Sequence, residues 1–353
     1  MRIAILVPMM SGRGGSETAV AGLVQGLQAR GDEAHVYLFG GLPRDPRWLD
    51  SVPHTALGSP KENRLHRVWR YSAGLSAEFR RFRPGAVVAL DSLRLVKGRV
   101  ALKLSGVSAP VISFIQFPVD RIKLKGLLKL ADGHMALCDG IADQLRELIG
   151  KTEIERVFTT YEPVPLSELL VERPNHAEPV EFLHIGRLEL AAQKRVADLL
   201  AATARVKGNF RLTIIGEGND RPALERYSRE LGIAERIAWL GWQTAPWDHV
   251  SRASVLLLTS SYEGFGIVLV EALSRGIPCL TSDCKYGPNE IVEHGKNGWL
   301  YPVGDVAGLA KLMQSIVDDP GILPPQEEIS RGAQKFSMHS VAERTMRVIS
   351  AVA

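Results

Sequence analysis

The chain has 353 residues, of which 45% are hydrophobic and 23% are charged, and its formal net charge is +4. A chain of this length can hold two domains of about 150 residues each, and its composition is that of a folded globular protein rather than a disordered one. No apolar run reaches the ~18 residues that a membrane-spanning helix needs, so the sequence predicts none.

The cysteines and histidines exclude further classes of protein. The three cysteines, Cys138, Cys279 and Cys284, are odd in number and lack metal-ligand spacing, so they predict neither a disulfide framework nor a metal site. We expect them to be buried, in a protein of the reducing cytoplasm. No D-x-D sequence occurs and the nine histidines are scattered, so we expect no divalent metal ion and no cofactor.

Short apolar runs alternate with helical patterns in the first half of the chain. The runs IAILVP, EAHVYLFG, AVVAL, VISFI and GHMAL predict buried strands, and TAVAGLVQGLQARG predicts a helix between the first two. The first run could also belong to a signal peptide because Arg2 precedes it, but it is short and lacks a small-residue cleavage site. The alternation predicts a parallel sheet in a Rossmann-like domain over residues 1–165.

The same alternation restarts after a proline-rich segment. Four prolines occur between Pro163 and Val180, which we interpret as an interdomain linker. The runs EFLHIG, RLTIIG, RIAWLG, SVLLLTS and PCLTS then predict the strands of a second Rossmann-like domain over residues 166–336. An amphipathic helix follows at about 337–353; its pattern does not identify its partner, and packing against the first domain is one alternative. Ligands of such sheets bind at the carboxyl ends of the strands, so we expect the site between the two rims of loops.

Two motifs at strand ends suit a phosphate. The glycine-rich loop Ser11–Gly15 would let backbone N–H groups approach a phosphate, although a tight turn alone explains it equally well. The second strand ends in Phe39 and Gly40 rather than in an acid, which argues against a dinucleotide-binding dehydrogenase. Arg187 and Lys194 follow the first strand of the second domain, where they either neutralise a diphosphate or lie on the surface without a ligand.

Two acids, Glu263 and Glu271, lie at an apolar helix. Glu263 belongs to the preceding loop, SSYEGFG, whereas Glu271 lies within the helix itself. A carboxylate removed from water needs hydrogen-bond donors, and its oxygens can accept from the vicinal diol of a ribose or a hexose. An ion pair between Glu271 and Arg275 is the alternative. Gly264 and Gly266 leave room for backbone amides to face a phosphate.

Positive charge is concentrated in the first half. Residues 1–165 contain 23 Lys and Arg against 16 Asp and Glu, and the imbalance between Lys61 and Lys103 is 11 against 3. The alternatives are solvated helix faces and an anionic partner, namely a phosphorylated acceptor, a membrane surface or a nucleic acid. The stretch DRIKLKGLLKLADG has a basic amphipathic pattern suited to a membrane interface, with a core helix as the alternative. Its basic residues are Arg121, Lys123, Lys125 and Lys129.

The stretch EGFGIVLVE, from Glu263 to Glu271, resembles the E-x7-E motif of retaining glycosyltransferases of family four. Further motifs of that family follow one another in the same order over nearly the whole chain: GRGGSET, GRL with a following lysine, IIGEGND, GIPCLTSDCKYGP and NGWLYPVGD. The resemblance implies the α/β fold called GT-B, in which two Rossmann-like domains face each other across a cleft. It also implies that the first domain binds the acceptor and the second binds the nucleotide sugar.

The resemblance further implies roles for single residues. Arg187 and Lys194 would bind the donor diphosphate, Glu271 the ribose diol and Glu263 the transferring sugar, and catalysis would rest on Glu263, Arg187 and Lys194. The donor-binding set would also include residues of both loops: Gly14, Gly15, Gly264, Phe265 and Gly266.

Gln116, in the sequence IQFPVD, departs from the family pattern, because many members have a histidine there. A glutamine can hydrogen-bond a sugar or acceptor hydroxyl, but it cannot act as a base. Two mechanisms compete in the family. In one, the acceptor attacks from the front face and the departing phosphate takes its proton; in the other, Glu263 forms a covalent intermediate.

Motifs of the second domain, GRLELAAQKRVADLL and GWQTAPW among them, resemble members that pass galactose from UDP-galactose to a glucose of the lipopolysaccharide core. The expected partners are a nucleotide sugar as substrate, the core acceptor and the anionic inner membrane on its cytoplasmic side, with no nucleic acid and no metal. The alternatives are transfer from UDP-glucose or GDP-mannose to another glycan or lipid-linked acceptor, a GT-B sugar-nucleotide epimerase, and a nucleotide-sugar sensor without catalysis.

Overall fold

The computed structural model describes residues 1–10, 15–58 and 64–353, apart from the side chains of residues 64–70 and 151–153. The chain forms two compact units. The first contains Met1–Pro165 and Phe336–Ala353, and the second contains Leu166–Lys335.

The first unit is a parallel sheet packed against helices. Its described strands are β1 (Arg2–Val7), β2 (Glu33–Phe39), β3 (His54–Leu57), β4 (Ala86–Ala89), β5 (Val111–Ile115), β6 (Gly133–Ala136) and β7 (Val157–Thr159). Its described helices are α1 (Gly15–Ala29), α2 (Arg64–Phe82), α3 (Ser92–Ser105) and α4 (Asp139–Ile149), joined from the end of the chain by α11 (Met338–Val352). The strands lie in the order β3-β2-β1-β4-β5-β6-β7.

Strand β1 lies at the centre of this sheet. Ile5 pairs with Val36 of β2 on one side and with Val88 of β4 on the other. Residues 3–7 are fully buried, and because successive side chains of a strand point to opposite faces, both faces of the sheet are covered. This explains why the strand is an uninterrupted apolar run.

Helix α11 returns the end of the chain to the first unit, where it packs against α1. At Gly26 of α1, a Cβ atom would lie only 2.4 Å from the carbonyl oxygen of Met338. A larger residue at this position would therefore push the two helices apart.

The second unit repeats the architecture. Its strands are β8 (Val180–Ile185), β9 (Phe210–Ile215), β10 (Ile237–Gly241), β11 (Val255–Leu258), β12 (Cys279–Ser282) and β13 (Gly298–Tyr301), in the order β10-β9-β8-β11-β12-β13. Its helices are α5 (Val196–Thr203), α6 (Arg221–Glu230), α7 (Ile267–Ser274), α8 (Pro288–Ile291), α9 (Val306–Asp318) and α10 (Gln326–Ala333). All of its strand pairs are parallel.

The strand order reverses next to the first strand of each sheet. Strand β1 lies between β2 and β4, and β8 lies between β9 and β11. The connections from these neighbouring strands run in opposite directions and leave a crevice at their carboxyl ends, which is where doubly wound sheets bind ligands. Each unit therefore has its own candidate site.

The strands predicted from long apolar runs are all present, and the prediction of two parallel-sheet domains is confirmed. Three shorter strands, β3, β7 and β13, were not predicted. Within the described part of the chain, no helix is long and apolar enough to span a membrane.

Candidate functional site

Two loops meet at the crevice of the second unit. The basic loop, residues 186–195, follows β8, and the acidic loop, residues 259–266, follows β11. Because β8 and β11 are paired neighbours, both loops leave the sheet at the same point. The sheet thereby brings together segments that are about 70 residues apart in the sequence.

Lys194 and Glu263 form an ion pair between these loops. The Lys194 Nζ atom donates to Glu263 Oε1 at 2.7 Å, and the Ser260 hydroxyl donates to the same oxygen at 2.5 Å. The two charged side chains are only 15% and 7% exposed. A pair so shielded from water is stable only when further hydrogen bonds satisfy it, and Ser260 supplies one. Sequence analysis proposed both charged residues but missed Ser260.

Arg187 lies in the same loop but is more open to solvent. Its guanidinium donates to Glu189 Oε1 at 2.9 Å, and its side chain is 64% exposed. The other oxygen of Glu189 accepts from the backbone N–H of Lys194 at 3.1 Å. Glu189, which sequence analysis also missed, therefore links the two predicted diphosphate-binding residues.

Glu271 lies in α7, where it is partly buried. The indole Nε1 of Trp247 donates to Glu271 Oε2 at 3.0 Å. The alternative ion pair with Arg275 is wrong: the Arg275 guanidinium donates instead to the backbone carbonyl of Glu271 and lies 4.3 Å from the centre of the Trp247 ring. Burial raises the pKa of Glu271, and the Trp247 hydrogen bond and the charge of Arg275 act against that rise. Among the described residues, Oε1 has no hydrogen-bond partner.

The turn between the two acids is closely packed. Gly266 adopts a left-handed conformation with φ of 100° immediately before α7, which favours glycine at this position. Phe265 is only 2% exposed, and a Cβ atom on Gly287 would lie 2.1 Å from its carbonyl oxygen. The Phe265 ring is thus part of the core, which leaves its backbone, with those of Gly264 and Gly266, to contact a ligand.

The crevice of the first unit contains a cavity of about 450 Å³ at the ends of β1, β4 and β5. Gln116 lines it and is 6% exposed, and its buried Nε2 has no hydrogen-bond partner among the described residues. Glu17, on the first turn of α1, also lines the cavity, as does Lys123. Gly14 lies outside the described residues, and Gly15 is the exposed first residue of α1.

Residues 119–130 form two 3-10 segments, Val119–Arg121 and Lys125–Leu130, so the core-helix alternative is wrong. All four predicted patch residues are exposed: Arg121, Lys123, Lys125 and Lys129. Leu124 and Leu130 are 60% and 47% exposed, whereas Leu128 is buried. The basic cluster between Lys61 and Lys103 is described only in part. The structure does not describe Lys61 or the side chains of Arg64, Arg67 and Arg70.

Comparison with known proteins identifies the family. The model of glycosyl transferases group 1 matches residues 168–336. The lipopolysaccharide 1,6-galactosyltransferase of Escherichia coli is 32% identical over 99% of this chain and 98% of its own length. The chain belongs to the group 1 glycosyltransferases. The protein of the same description from Salmonella typhimurium is 33% identical to this glycosyltransferase over 87% of both chains.

Solved structures agree with this assignment of the fold. The apo form of the lipopolysaccharide outer core galactosyltransferase WaaB superimposes with a TM-score of 0.88 at 29% identity, covering 100% of both chains. Anabaena HepE, solved with UDP, has a TM-score of 0.80 at 18% identity over 99% of this chain and 100% of its own. The predicted α/β GT-B fold of this glycosyltransferase is thereby confirmed.

The described residues of this glycosyltransferase offer few groups that could bind a metal ion. Its three cysteines are buried and form no disulfide with one another, as predicted from the sequence. Within residues 1–10, 15–58 and 64–353, no three His, Cys, Asp or Glu side chains form a group that could hold a metal ion. The charged residues that the sequence predicted for the second crevice are Arg187, Lys194, Glu263 and Glu271, and Glu189 lies beside the first two.

Proposed function

We propose that this glycosyltransferase moves galactose from UDP-galactose onto a glucose of the lipopolysaccharide core, with retention of the anomeric configuration. The match along almost the whole chain to a relative described as a lipopolysaccharide 1,6-galactosyltransferase carries the proposal. The chemistry of the second crevice supports it, because cations for a diphosphate and carboxylates for hydroxyl groups occur together there.

The donor would bind at the second crevice. Lys194 and Arg187 would neutralise the diphosphate, the first as a partly buried point charge and the second as an exposed planar fork. Glu263 would accept hydrogen bonds from the transferring sugar. The free Oε1 of Glu271 would accept from the ribose diol, while Trp247 continues to hold Oε2. The backbone amides of residues 264–266 would face the phosphates.

In the reaction, the bond between the sugar C1 and the phosphate oxygen breaks, and a bond between C1 and the acceptor oxygen forms on the same face. The acceptor proton passes to the departing phosphate oxygen. Lys194 and Arg187 stabilise the negative charge that grows on that phosphate. The ion pair with Lys194 and the hydrogen bond from Ser260 lower the nucleophilicity of the Glu263 carboxylate, so we favour front-face attack over a covalent intermediate.

The acceptor sugar would occupy the cavity of the first unit. An apolar cavity with a few polar groups is typical of small-ligand sites, and the unpaired Nε2 of Gln116 can donate to an acceptor hydroxyl. Gln116 cannot remove the acceptor proton, which agrees with the phosphate as the base.

We also propose that the reaction needs no metal and takes place at the cytoplasmic face of the inner membrane, to which the enzyme binds peripherally. Arg121, Lys123, Lys125 and Lys129 are exposed beside the exposed Leu124, a combination of charge and apolar surface that suits anionic lipid.

A panel of radiolabelled nucleotide sugars, incubated with and without truncated lipopolysaccharide, tests the proposal. We expect label from UDP-galactose to enter the lipopolysaccharide. Transfer from UDP-glucose or GDP-mannose instead would identify a related transferase with another donor. Conversion of the nucleotide sugar without acceptor would identify an epimerase, and binding without turnover would identify a sensor.

A further inference from the structure

The basic and acidic loops are joined by more than the ion pair. The backbone N–H of Ser261 donates to the carbonyl of Gln193 at 2.8 Å, and the Gln193 amide donates to the carbonyl of Tyr262 at 3.1 Å. The connection between the loops therefore runs through the residues immediately before Lys194. A separate contact reaches the backbone of Lys194 and of the residue after it.

Arg195, the next residue, has an unusual backbone. Its φ and ψ are 48° and 44°, the left-handed conformation that a residue with a side chain rarely adopts. Such a conformation persists only where the surroundings hold it. Arg195 lies between Lys194 and the first residue of α5, so its conformation sets the path of the backbone next to Lys194.

Thr259, from the acidic loop, supplies a hydrogen bond to this backbone. Its side chain is buried, with 1% of the residue exposed, and its hydroxyl lies 2.8 Å from the carbonyl oxygen of Lys194 and 3.1 Å from that of Arg195. The single hydroxyl hydrogen is thus shared between the two carbonyls that flank the left-handed residue. Without it, the Lys194 carbonyl would face a buried methyl group, whereas the Arg195 carbonyl would keep the hydrogen bond that the backbone N–H of Asp198 donates to it at 3.0 Å.

We propose that Thr259 is a positioning residue for the donor site: its hydroxyl fixes the backbone at Lys194 and Arg195, so that the Lys194 ammonium is held at Glu263 and within reach of a nucleoside diphosphate. This inference rests on the proposed function only in the identity of the ligand. Thr259 itself acts through Lys194 and takes no part in the bond changes.

Three variants test the inference. Thr259→Val removes the hydroxyl and keeps the shape of the side chain, and Thr259→Ser restores the hydroxyl. Thr203→Val is the matched control, because Thr203 is equally buried and donates to one backbone carbonyl, that of Leu199, at 2.8 Å. The readouts are UDP affinity by calorimetry, kcat and KM for UDP-galactose, and amide hydrogen exchange of residues 187–197.

We expect Thr259→Val to weaken UDP binding about tenfold, with the KM for the acceptor unchanged, and to speed exchange in residues 187–197. Thr259→Ser should recover most of the affinity, and Thr203→Val should leave affinity and exchange in residues 187–197 unchanged. Equal effects of Thr259→Val and Thr203→Val, or no rescue by serine, would overturn the inference. If the wild-type protein binds no UDP, the proposed donor fails, and the exchange comparison still tests whether Thr259 holds the loop.

Discussion

Replacing Glu271 by glutamine perturbs the proposed ribose contact with little change of shape. Glutamine keeps one acceptor oxygen, which can still accept from Trp247, and presents an NH₂ group where the free carboxylate oxygen Oε1 was. A hydrogen bond to a charged acceptor contributes about 1.5–3 kcal/mol, so losing one from the ribose diol should weaken UDP binding roughly 10-fold to 100-fold.

The same substitution should not lower the stability of the ligand-free protein. Burial raises the pKa of Glu271, so the native state favours its protonated form. The favourable contribution of that proton is fully present below the unfolded-state pKa and is lost as the pH rises through the higher native-state pKa. Above its native-state pKa the wild-type Glu271 is an ionised carboxylate that the fold disfavours, whereas glutamine stays neutral.

Thermal unfolding with and without UDP measures both effects. At a UDP concentration one hundred times the wild-type Kd, UDP stabilises the wild type by about 2.7 kcal/mol. For the variant, a tenfold weaker Kd reduces this to about 1.4 kcal/mol and a hundredfold weaker Kd to about 0.4 kcal/mol. Its ligand-free Tm should equal or exceed that of the wild type at pH 7, and the difference should shrink as the pH falls towards 4.

Glu230→Gln, at the exposed end of α6, is the matched control because it removes the same charge away from the crevice. It should leave the stabilisation by UDP unchanged. A Glu271→Gln variant with a lower ligand-free Tm and normal UDP affinity would refute the reasoning, because it would make Glu271 a structural residue.

Four other outcomes follow from the same site. Lys194→Ala and Arg187→Ala should each lower kcat/KM for the donor roughly 10²-fold, with steady-state kinetics as the measure, and wild-type values would remove either residue from the site. Activity should survive EDTA, and an absolute requirement for added Mn²⁺ or Mg²⁺ would contradict the metal-free proposal. Gln116→Glu should raise the acceptor KM about tenfold without changing UDP affinity. The control Gln28→Glu, on the exposed end of α1, should change neither quantity. An effect of Gln116→Glu on UDP affinity alone would place Gln116 in the donor site. Flotation with anionic vesicles should show binding that weakens with salt. Exchange of the four basic residues in 121–130 for glutamine should weaken this binding roughly 10³-fold, since each contributes about 1 kcal/mol. Salt-insensitive binding would contradict the patch.

Most strands that could be predicted from sequence are buried on both faces; β10, predicted from RIAWLG, alternates between half-buried and exposed residues. Residues 3–7 of β1 and all of β4 and β11 form unbroken apolar runs because none of these side chains reaches water. Strands β3, β7 and β13 are three or four residues long and partly exposed, so their sequences carry no such run. A parallel sheet holds them through backbone hydrogen bonds, which leave no trace in the side-chain pattern.

The segment around residues 121–130 shows how a helical pattern can mislead. Its leucines are spaced as on one face of a helix, but Leu124 adopts a left-handed conformation with φ of 58° and the chain turns there into short 3-10 segments. Of the leucines in this segment, only Leu128 is fully buried, and Leu124 is 60% exposed. Spacing predicts which residues could share a face, but the local backbone decides whether a helix exists to present it.

The charged residues of the candidate site could be predicted because buried acids and basic residues at strand ends are unusual. Their partners could not. Trp247 is 24 residues from Glu271 in the sequence, and an indole donor follows no spacing rule. Ser260 and Glu189 act through hydrogen bonds whose geometry depends on how each loop folds. The contact of Thr259 with Lys194 arises only when β8 and β11 become neighbours.

The most direct test of the proposed function is the NMR spectrum of the product that the purified protein forms from UDP-galactose and a truncated lipopolysaccharide core ending in an unsubstituted glucose. We predict one new galactose residue with the α configuration, linked to that glucose, because the proposed transfer occurs with retention. A β-linked galactose, or no product under conditions in which UDP binds, would contradict it.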